Sequence, residues 1–585
     1  MYFPKALLVK RIFFTGLFSL LLFTGMQAQQ SKTGGDRVRW FREAKFGMFI
    51  HWGLYAEAAG HWDGKNYYGI GEWLMKRAKI KTQEYEKLAG QFNPEKFNAE
   101  EWVKVAKDAG MKYIVITAKH HDGFAMFKSE ASKYNIVDAT PFKRDPLKEL
   151  AEACRKAGIR LGFYYSQYQD WHEPGAGGNT WEFAGTEDQF NEYFEKKCKP
   201  QVKELLTNYG QLGLIWFDTP GKMTKEQSME LVDLVRKYQP GCLVSSRVGN
   251  NVGDYLDFGD GEIPAQKVDK AWEALFTHND SWGYVDVDHN WKSTEEIVRM
   301  LSEINGKGGN FLLNVGPKSD GTLPQETVEV FRRTGKWIDK NRDAVYATSY
   351  SPFPELPWGT CTSKPGELFL HVHQWPQVPV LRIPGIRTDI KSVNLLESGV
   401  SLTYERQGND LLIHLPCHIP DPFNSVIRLT YKGELSVDSL QHLSPDFSNR
   451  LLTAHASRTG QTSTKLYNFA EEFGDWKHAE VLENWTNETD QASWDFCVDK
   501  AGEYRIALNY SFPLDIPKRE GVIEVAGQKM QFETLQTGTR VQDFYQHVIG
   551  MILFPAPGKY TFVIKPVGQG TQFIKLREVC ISNFD

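Results

Sequence analysis

The run Asn98-Ala-Glu-Glu-Trp-Val-Lys-Val-Ala-Lys-Asp-Ala-Gly-Met-Lys-Tyr-Ile-Val-Ile-Thr117 contains a complete structural phrase. Asn98 followed three places later by Glu101 has the form of a capping box. Trp102, Val105, Ala106 and Ala109 recur at helical spacing, so one face of the helix is apolar. Gly110 stops it, and Tyr113–Thr117 reads as a short buried strand. The phrase then repeats. Asp145-Pro146 supplies an N-cap and a first-turn proline, Leu147, Leu150, Ala151 and Cys154 form the stripe, and Gly158 leads into Arg160–Tyr165. A third copy ends at Gly210 before Leu212–Phe217, and a fourth passes through Pro240-Gly241 into Leu243–Ser246. Phe46–His51 and Asn310–Val315 are further strands, and a closing helix is expected near Glu326–Asn341.

Helices alternating with almost continuously apolar strands predict a parallel sheet covered on both faces. About 300 residues of this pattern favour a (β/α)₈-like barrel over an open sheet. The open alternative calls for a glycine-rich dinucleotide loop after its first strand, and the sequence has none there. Beyond residue 345 the texture changes to short strands such as Leu368–His373, Val378–Ile383, Leu411–Leu415 and Val426–Tyr431, without helical stripes. The chain therefore divides into a leader at 1–28, a barrel at 36–345 and a β-sandwich at 346–433. A linker or extended connection at 434–464 and a C-terminal β-sandwich at 465–585 follow. That last unit reads equally as a carbohydrate-binding module, with Trp485, Trp494, Tyr510 and Tyr545 as stacking platforms, or as a brace for the barrel.

Composition narrows the function. The 585 residues carry 68 Lys+Arg against 73 Asp+Glu, a net charge of −5, which is not the basic excess of a nucleic-acid binder. Seven widely scattered cysteines with no Cys-x-x-Cys pair argue against a disulfide framework and a zinc site. Seventeen Trp, 24 Tyr and 36 Phe suit either the filling of large cores or the apolar faces of sugars. At the N-terminus, Lys5, Lys10 and Arg11 precede the apolar run Ile12–Thr24, and Ala28 suits the position before cleavage. The run is short for a membrane span. Export to the periplasm or medium is the expectation, with no membrane span in the mature chain.

Four polar clusters fall where barrel strands should end, the place where such barrels build their sites. They are His51-Trp52-Gly53, Lys119-His120-His121-Asp122-Gly123, Trp216-Phe217-Asp218, and Ser245-Ser246-Arg247 followed by Asp257 through Glu262. Asp218 ends an apolar strand directly after two aromatics, pointing into a partly dry pocket or pairing with Arg247. His51, His120 and His121 could serve a metal, although adjacent residues of a strand face opposite sides. A carboxylate pair gives a second chemistry: a retaining glycosidase needs a nucleophile and an acid about 5–5.5 Å apart. Asp218 and Glu262 lie after successive strands, with Glu72 and Glu273 as competing carboxylates.

Residues 36–432 closely resemble the α-L-fucosidases of glycoside hydrolase family 29. The resemblance rests on Trp40–Gly53, Ala118–Phe124, Ile215–Asp218 and Gly309–Pro317, with Trp272-Glu273 and Ser281–Tyr284 adding to it. It implies an irregular barrel followed by a β-sandwich, a retaining mechanism, and neither metal nor cofactor. It makes Asp218 the nucleophile. His51, His120, His121, Trp216 and Arg247 would hold the fucose hydroxyls and ring, the imidazoles and guanidinium acting as donors. Glu72, Trp73 and Trp282 would occupy further pocket positions, the aromatics near the C6 methyl. Glu262 is chosen as acid/base, with Glu273 second, as a pocket residue or a partner behind it. Thr219-Pro220 follows Asp218 where the family commonly has glycine. The expected activity is removal of terminal α-L-fucose from a fucosylated oligosaccharide or glycoconjugate. A non-catalytic fucose-binding barrel and a metal-dependent hydrolase are the alternatives.

Overall fold

The computed structural model describes residues 37–468, 478–570 and 572–584; the leader expected at 1–28 lies outside them. Eight parallel strands form the first unit: β1 (Phe46–Ile50), β2 (Tyr113–Lys119), β3 (Arg160–Ser166), β4 (Leu214–Asp218), β5 (Leu243–Val244), β6 (Leu256–Asp257), β7 (Trp272–Thr277) and β8 (Asn310–Val315). Neighbours pair in chain order, and β8 returns to β1. Between β5 and β6 the ring is closed by a single parallel bridge, Ser245 to Tyr255. The barrel is complete but thin on that side.

Strands β1, β2, β4, β5 and β8 are buried on both faces, so apolar residues run almost continuously along them. Phe46, Met48 and Ile50 of β1 point outward to the helices, while Phe49 points inward with Val115, Tyr164, Leu214, Trp216 and Leu312. Gly47 sits on the inward side because a Cβ there would lie 2.4 Å from the Tyr113 ring. The covering helices follow the sequence signals. In α1 (Ala99–Asp108) the Asn98 side chain accepts the Glu100 and Glu101 N–H groups, and Val103 rather than Val105 completes the buried face. In α2 (Pro146–Ala157) Asp145 caps the Lys148 N–H, and Gly158 ends the helix at φ +72°. α3 (Lys199–Asn208) and α4 (Lys225–Tyr238) precede β4 and β5; α5 (Thr294–Gly306) precedes β8, and α6 (Gln325–Lys340) closes the unit. Between β5 and β7 the described residues form one 3₁₀ turn, Ser246–Val248, and otherwise loop around the two-residue β6. That gap is why β6 and β7 escape a reading based on helix–strand alternation.

Residues 359–431 form a four-stranded and a three-stranded antiparallel sheet around a core including Leu370, Leu381, Ile413 and Leu429. Two larger sheets follow, packed around Phe496, Ile506, Phe562 and Val579. The 434–464 stretch is not a linker throughout. Gln441–Leu443 and Ser457–Thr459 pair with Gln491–Val498, and Asn449–Leu452 pairs with Lys575–Asn583. These strands are three or four residues long and largely polar, too short to show an alternating pattern. The proposed stacking platforms are also corrected. Trp485, Trp494 and Tyr510 are 1%, 4% and 0% exposed in the core, and of the four only Tyr545, at 54%, presents a ring to solvent. Among the described residues no helix is long and apolar enough to cross a membrane.

Candidate active site

The C-terminal ends of the barrel strands enclose a cavity of about 530 Å³. Every sequence-nominated site residue lines it except Glu273. His51 follows β1, His120 and His121 follow β2, Trp216 and Asp218 come from the end of β4, and Arg247 from the turn after β5. Glu72 and Trp73 enter from a 3₁₀ turn, Gly71–Trp73, and Trp282 from the segment after β7. Phe49, Leu275, Trp73, Trp216 and Trp282 supply an apolar wall. Such walls with a few convergent polar groups are the usual make-up of a small-molecule site.

Asp218 is held from three directions. Its Oδ2 accepts the Tyr164 hydroxyl at 2.7 Å and faces His121 Nε2 at 3.4 Å, while Oδ1 accepts from Arg247 at 3.1 Å. Gln167 Oε1 accepts its backbone N–H at 2.9 Å. Burial alone would raise this carboxyl, but the Arg247 guanidinium and the Tyr164 hydroxyl outweigh that and hold it below the ordinary aspartate value. The group is therefore an anion at neutral pH in a nearly dry setting. Arg247 is itself fixed, with its second nitrogen donating to Asp260 and, at 2.9 Å, to the Phe258 carbonyl. Its guanidinium lies 4.9 Å from the centre of the Trp216 ring. Thr219, the next residue after Asp218, is in the left-handed region at φ +50°, where glycine is at ease and a β-branched residue is strained.

The hydrogen-bond network assigns the histidine tautomers. Asn314 gives its amide N–H to the Trp282 carbonyl, so its oxygen faces His51 Nδ1 at 2.8 Å and must accept from it. Ser166 gives its hydroxyl proton to the Gln169 carbonyl, so its oxygen accepts from His121 Nδ1 at 2.7 Å. Both rings thus keep their Nε2 lone pairs. Burial lowers His51 to about 3 and His121 to about 4, so both are neutral in ordinary buffers. The expectation that these imidazoles donate to a ligand is corrected: their free nitrogens are acceptors. His120 stacks on Tyr164 at 5.2 Å with nearly parallel planes, and its buried Nδ1 has no partner among the described residues. Among those residues no group of three or more His, Cys, Asp and Glu side chains is arranged to hold a metal.

The remaining carboxylates separate by depth. Glu262 lines the cavity, its Oε2 accepting the Gly259 N–H at 2.7 Å. Glu72 is buried beside it, accepts the Gly283 N–H at 2.7 Å and is raised by burial to about 7. Glu273 lies beneath the site because it is the second residue of β7, near the strand's start. It accepts from Trp216 Nε1 at 2.8 Å and from the Tyr113 hydroxyl at 2.9 Å. Burial, reinforced by Asp257, raises it far above the carboxylate range. Its retained proton serves Asp257, whose Oδ1 otherwise lacks a partner among the described residues. Glu273 is thus a positioning group for Trp216 and does not line the pocket. Tyr164 was missed by sequence reasoning. Its signal was present, since two-residue periodicity along Arg160–Ser166 directs alternate residues inward beside Asp218.

Comparison with known proteins agrees with this geometry. A family model described as alpha-L-fucosidase matches residues 26–343. The chain is similar to the tissue alpha-L-fucosidase of Rattus norvegicus, 31% identical over 385 residues covering 59% of this chain and 78% of the relative. A solved alpha-L-fucosidase from a Vibrio species superposes with TM-score 0.78 at 31% identity, covering 94% of this chain and 98% of that one. Isoenzyme 1 from Paenibacillus thiaminolyticus superposes with TM-score 0.63 at 33% identity; its whole length corresponds to 68% of this chain.

Proposed function

The chain belongs to the α-L-fucosidases of glycoside hydrolase family 29, and on that premise we propose that it releases terminal α-L-fucose with retention through a fucosyl ester of Asp218. The observation that carries this reading is a charge-stabilised, ionised Asp218 opening onto the same cavity as Glu262. In the first step an Asp218 oxygen bonds to the anomeric carbon, the glycosidic bond breaks, and the leaving oxygen takes the Glu262 proton. In the second, Glu262 removes a proton from water, the water oxygen bonds to the anomeric carbon, and the ester bond breaks. Fucose leaves and both carboxyl groups are restored.

The pocket polarity suits this sugar. Nε2 of His51 and of His121 accept hydroxyl protons, and Arg247 donates. The C6 methyl needs the apolar wall of Trp73 and Trp282, which also disfavours the extra hydroxyl of L-galactose. The substrate is a fucosylated glycan, and the leader over 1–28 sends the enzyme out of the cytoplasm. N-terminal sequencing of enzyme from the periplasm or medium should begin near residue 29, and an intact Met1 in that fraction would refute the leader.

Asp218→Gly should lower turnover of an aryl α-L-fucoside by about 10⁴-fold or more. Azide should restore it and yield a β-L-fucosyl azide. An α-azide product would sink retention through Asp218. A chelator should leave the wild-type rate unchanged, whereas loss of activity restored by a divalent metal would revive the metal-dependent alternative.

A further inference from the structure

His478 begins the strand His478–Glu483 of the C-terminal sandwich, far along the chain from the barrel. Its imidazole nevertheless lies against the Gly259–Glu262 loop. The position a Cβ would take on Gly259 is 2.8 Å from Glu262 Oε2 and 2.9 Å from His478 Nε2. Carboxylate and ring thus crowd the same face of this glycine, which has room for nothing larger. The same loop continues to Gln266, whose side-chain amide donates to the Ala454 carbonyl at 2.9 Å, a second contact from the C-terminal sandwich. Between them these contacts clamp the one part of the rim that has no covering helix.

The charged groups facing His478 are Glu262 and Asp260, and the Gly261 carbonyl also faces the ring. Burial keeps the imidazole below its ordinary value against their pull, so it is neutral at pH 7. Its Nδ1 is buried and has no partner among the described residues, which leaves Nε2 to carry the proton toward the loop. Glu262 Oε2 already accepts the Gly259 N–H. An oxygen facing donors serves as an acceptor, which leaves Oε1 as the oxygen free to exchange a proton with the leaving group.

We propose that His478 is a positioning residue for Glu262, through which the C-terminal sandwich fixes the acid/base loop and presents Oε1 to the leaving oxygen. This rests on Glu262 as the acid/base. His478 neither gives nor takes a proton in the cycle; the proton passes from Glu262 Oε1 to the leaving oxygen and is replaced from water.

The test uses the full chain and two substrates, 2,4-dinitrophenyl and methyl α-L-fucoside, because only the poor leaving group needs protonation. His478→Ala should reduce kcat/KM on the methyl glycoside by about tenfold and on the dinitrophenyl glycoside by less than about twofold. His478→Gln, which keeps a donor, should recover most of the loss. Equal losses on both substrates, or no loss on either, would overturn the role of His478 provided that Glu262→Ala still shows the leaving-group-dependent pattern. If Glu262→Ala lacks that pattern, the acid/base reading fails first and the proposal falls with it.

Discussion

The two halves of the pocket rim are built by different means. On one side, β1 to β4 are strands of five to seven residues, and their ends deliver His51, His120, His121 and Asp218 directly. On the other, β5 and β6 are two residues each; Asp257 ends β6, and the loop after it carries Asp260 and Glu262. The first side takes its geometry from strand register, which neighbouring backbones enforce. The second takes it from side-chain bridges and from contacts with a sandwich nearly 200 residues downstream. A glycosidase needs a nucleophile fixed to fractions of an ångström, and it needs an acid that fits a variable leaving group. The division of labour suits both requirements.

Arg247 bridges the halves, holding Asp218 from one and Asp260 with the Phe258 carbonyl from the other. Arg247→Met should therefore have the largest effect among changes outside the proposed pair Asp218 and Glu262. It leaves two carboxylates without their shared cation, a loss of the kind that costs about 3–5 kcal/mol, and kcat/KM should fall by about 100-fold or more. The pH profile gives the sharper readout. Arg247 favours ionised Asp218, so its removal raises the aspartate pKa, and the acid limb of kcat/KM should move to higher pH. Arg247→Lys keeps the charge without the fork and should fall between. An acid limb that stays in place would mean that the Tyr164 hydroxyl suffices to hold Asp218 ionised.

How legible each half was in the sequence follows the same division. The helix–glycine–strand phrase located four of the eight strands and apolar runs located two more, and residues at or just past their ends proved to line the cavity. Strand ends are readable because periodicity and the direction of the chain fix where the next residue points. β6 and β7 were not readable, since no amphipathic helix separates them from β5. Glu273 shows the remaining weakness: a motif identifies a residue but not its height within the barrel. Its place near the start of β7 puts it under Trp216. Glu273→Gln offers one acceptor oxygen where the carboxyl offers two, to Trp216 and Tyr113. The expected cost is about 1–2 kcal/mol of stability and a several-fold loss of kcat/KM, equal for good and poor leaving groups. A loss confined to poor leaving groups would move Glu273 into the acid/base role.

Thr219 tests whether the half that carries Asp218 depends on strand register alone. At φ +50° a residue with a Cβ costs about 1–2 kcal/mol, and here that residue is β-branched and directly follows Asp218. Thr219→Gly removes the strain but adds freedom to the unfolded chain worth about 0.4–1 kcal/mol. The net change should therefore be a stabilisation of no more than about 1.6 kcal/mol. If register and the three Asp218 partners suffice, kcat will remain within about twofold of wild type. If the strained turn also stiffens the end of β4, kcat will fall about threefold or more at unchanged KM. Thr219→Ala, which keeps a Cβ at the same φ, will then retain the wild-type rate. Turnover measured for the two variants side by side distinguishes a nucleophile held by its strand from one held by the turn that follows it.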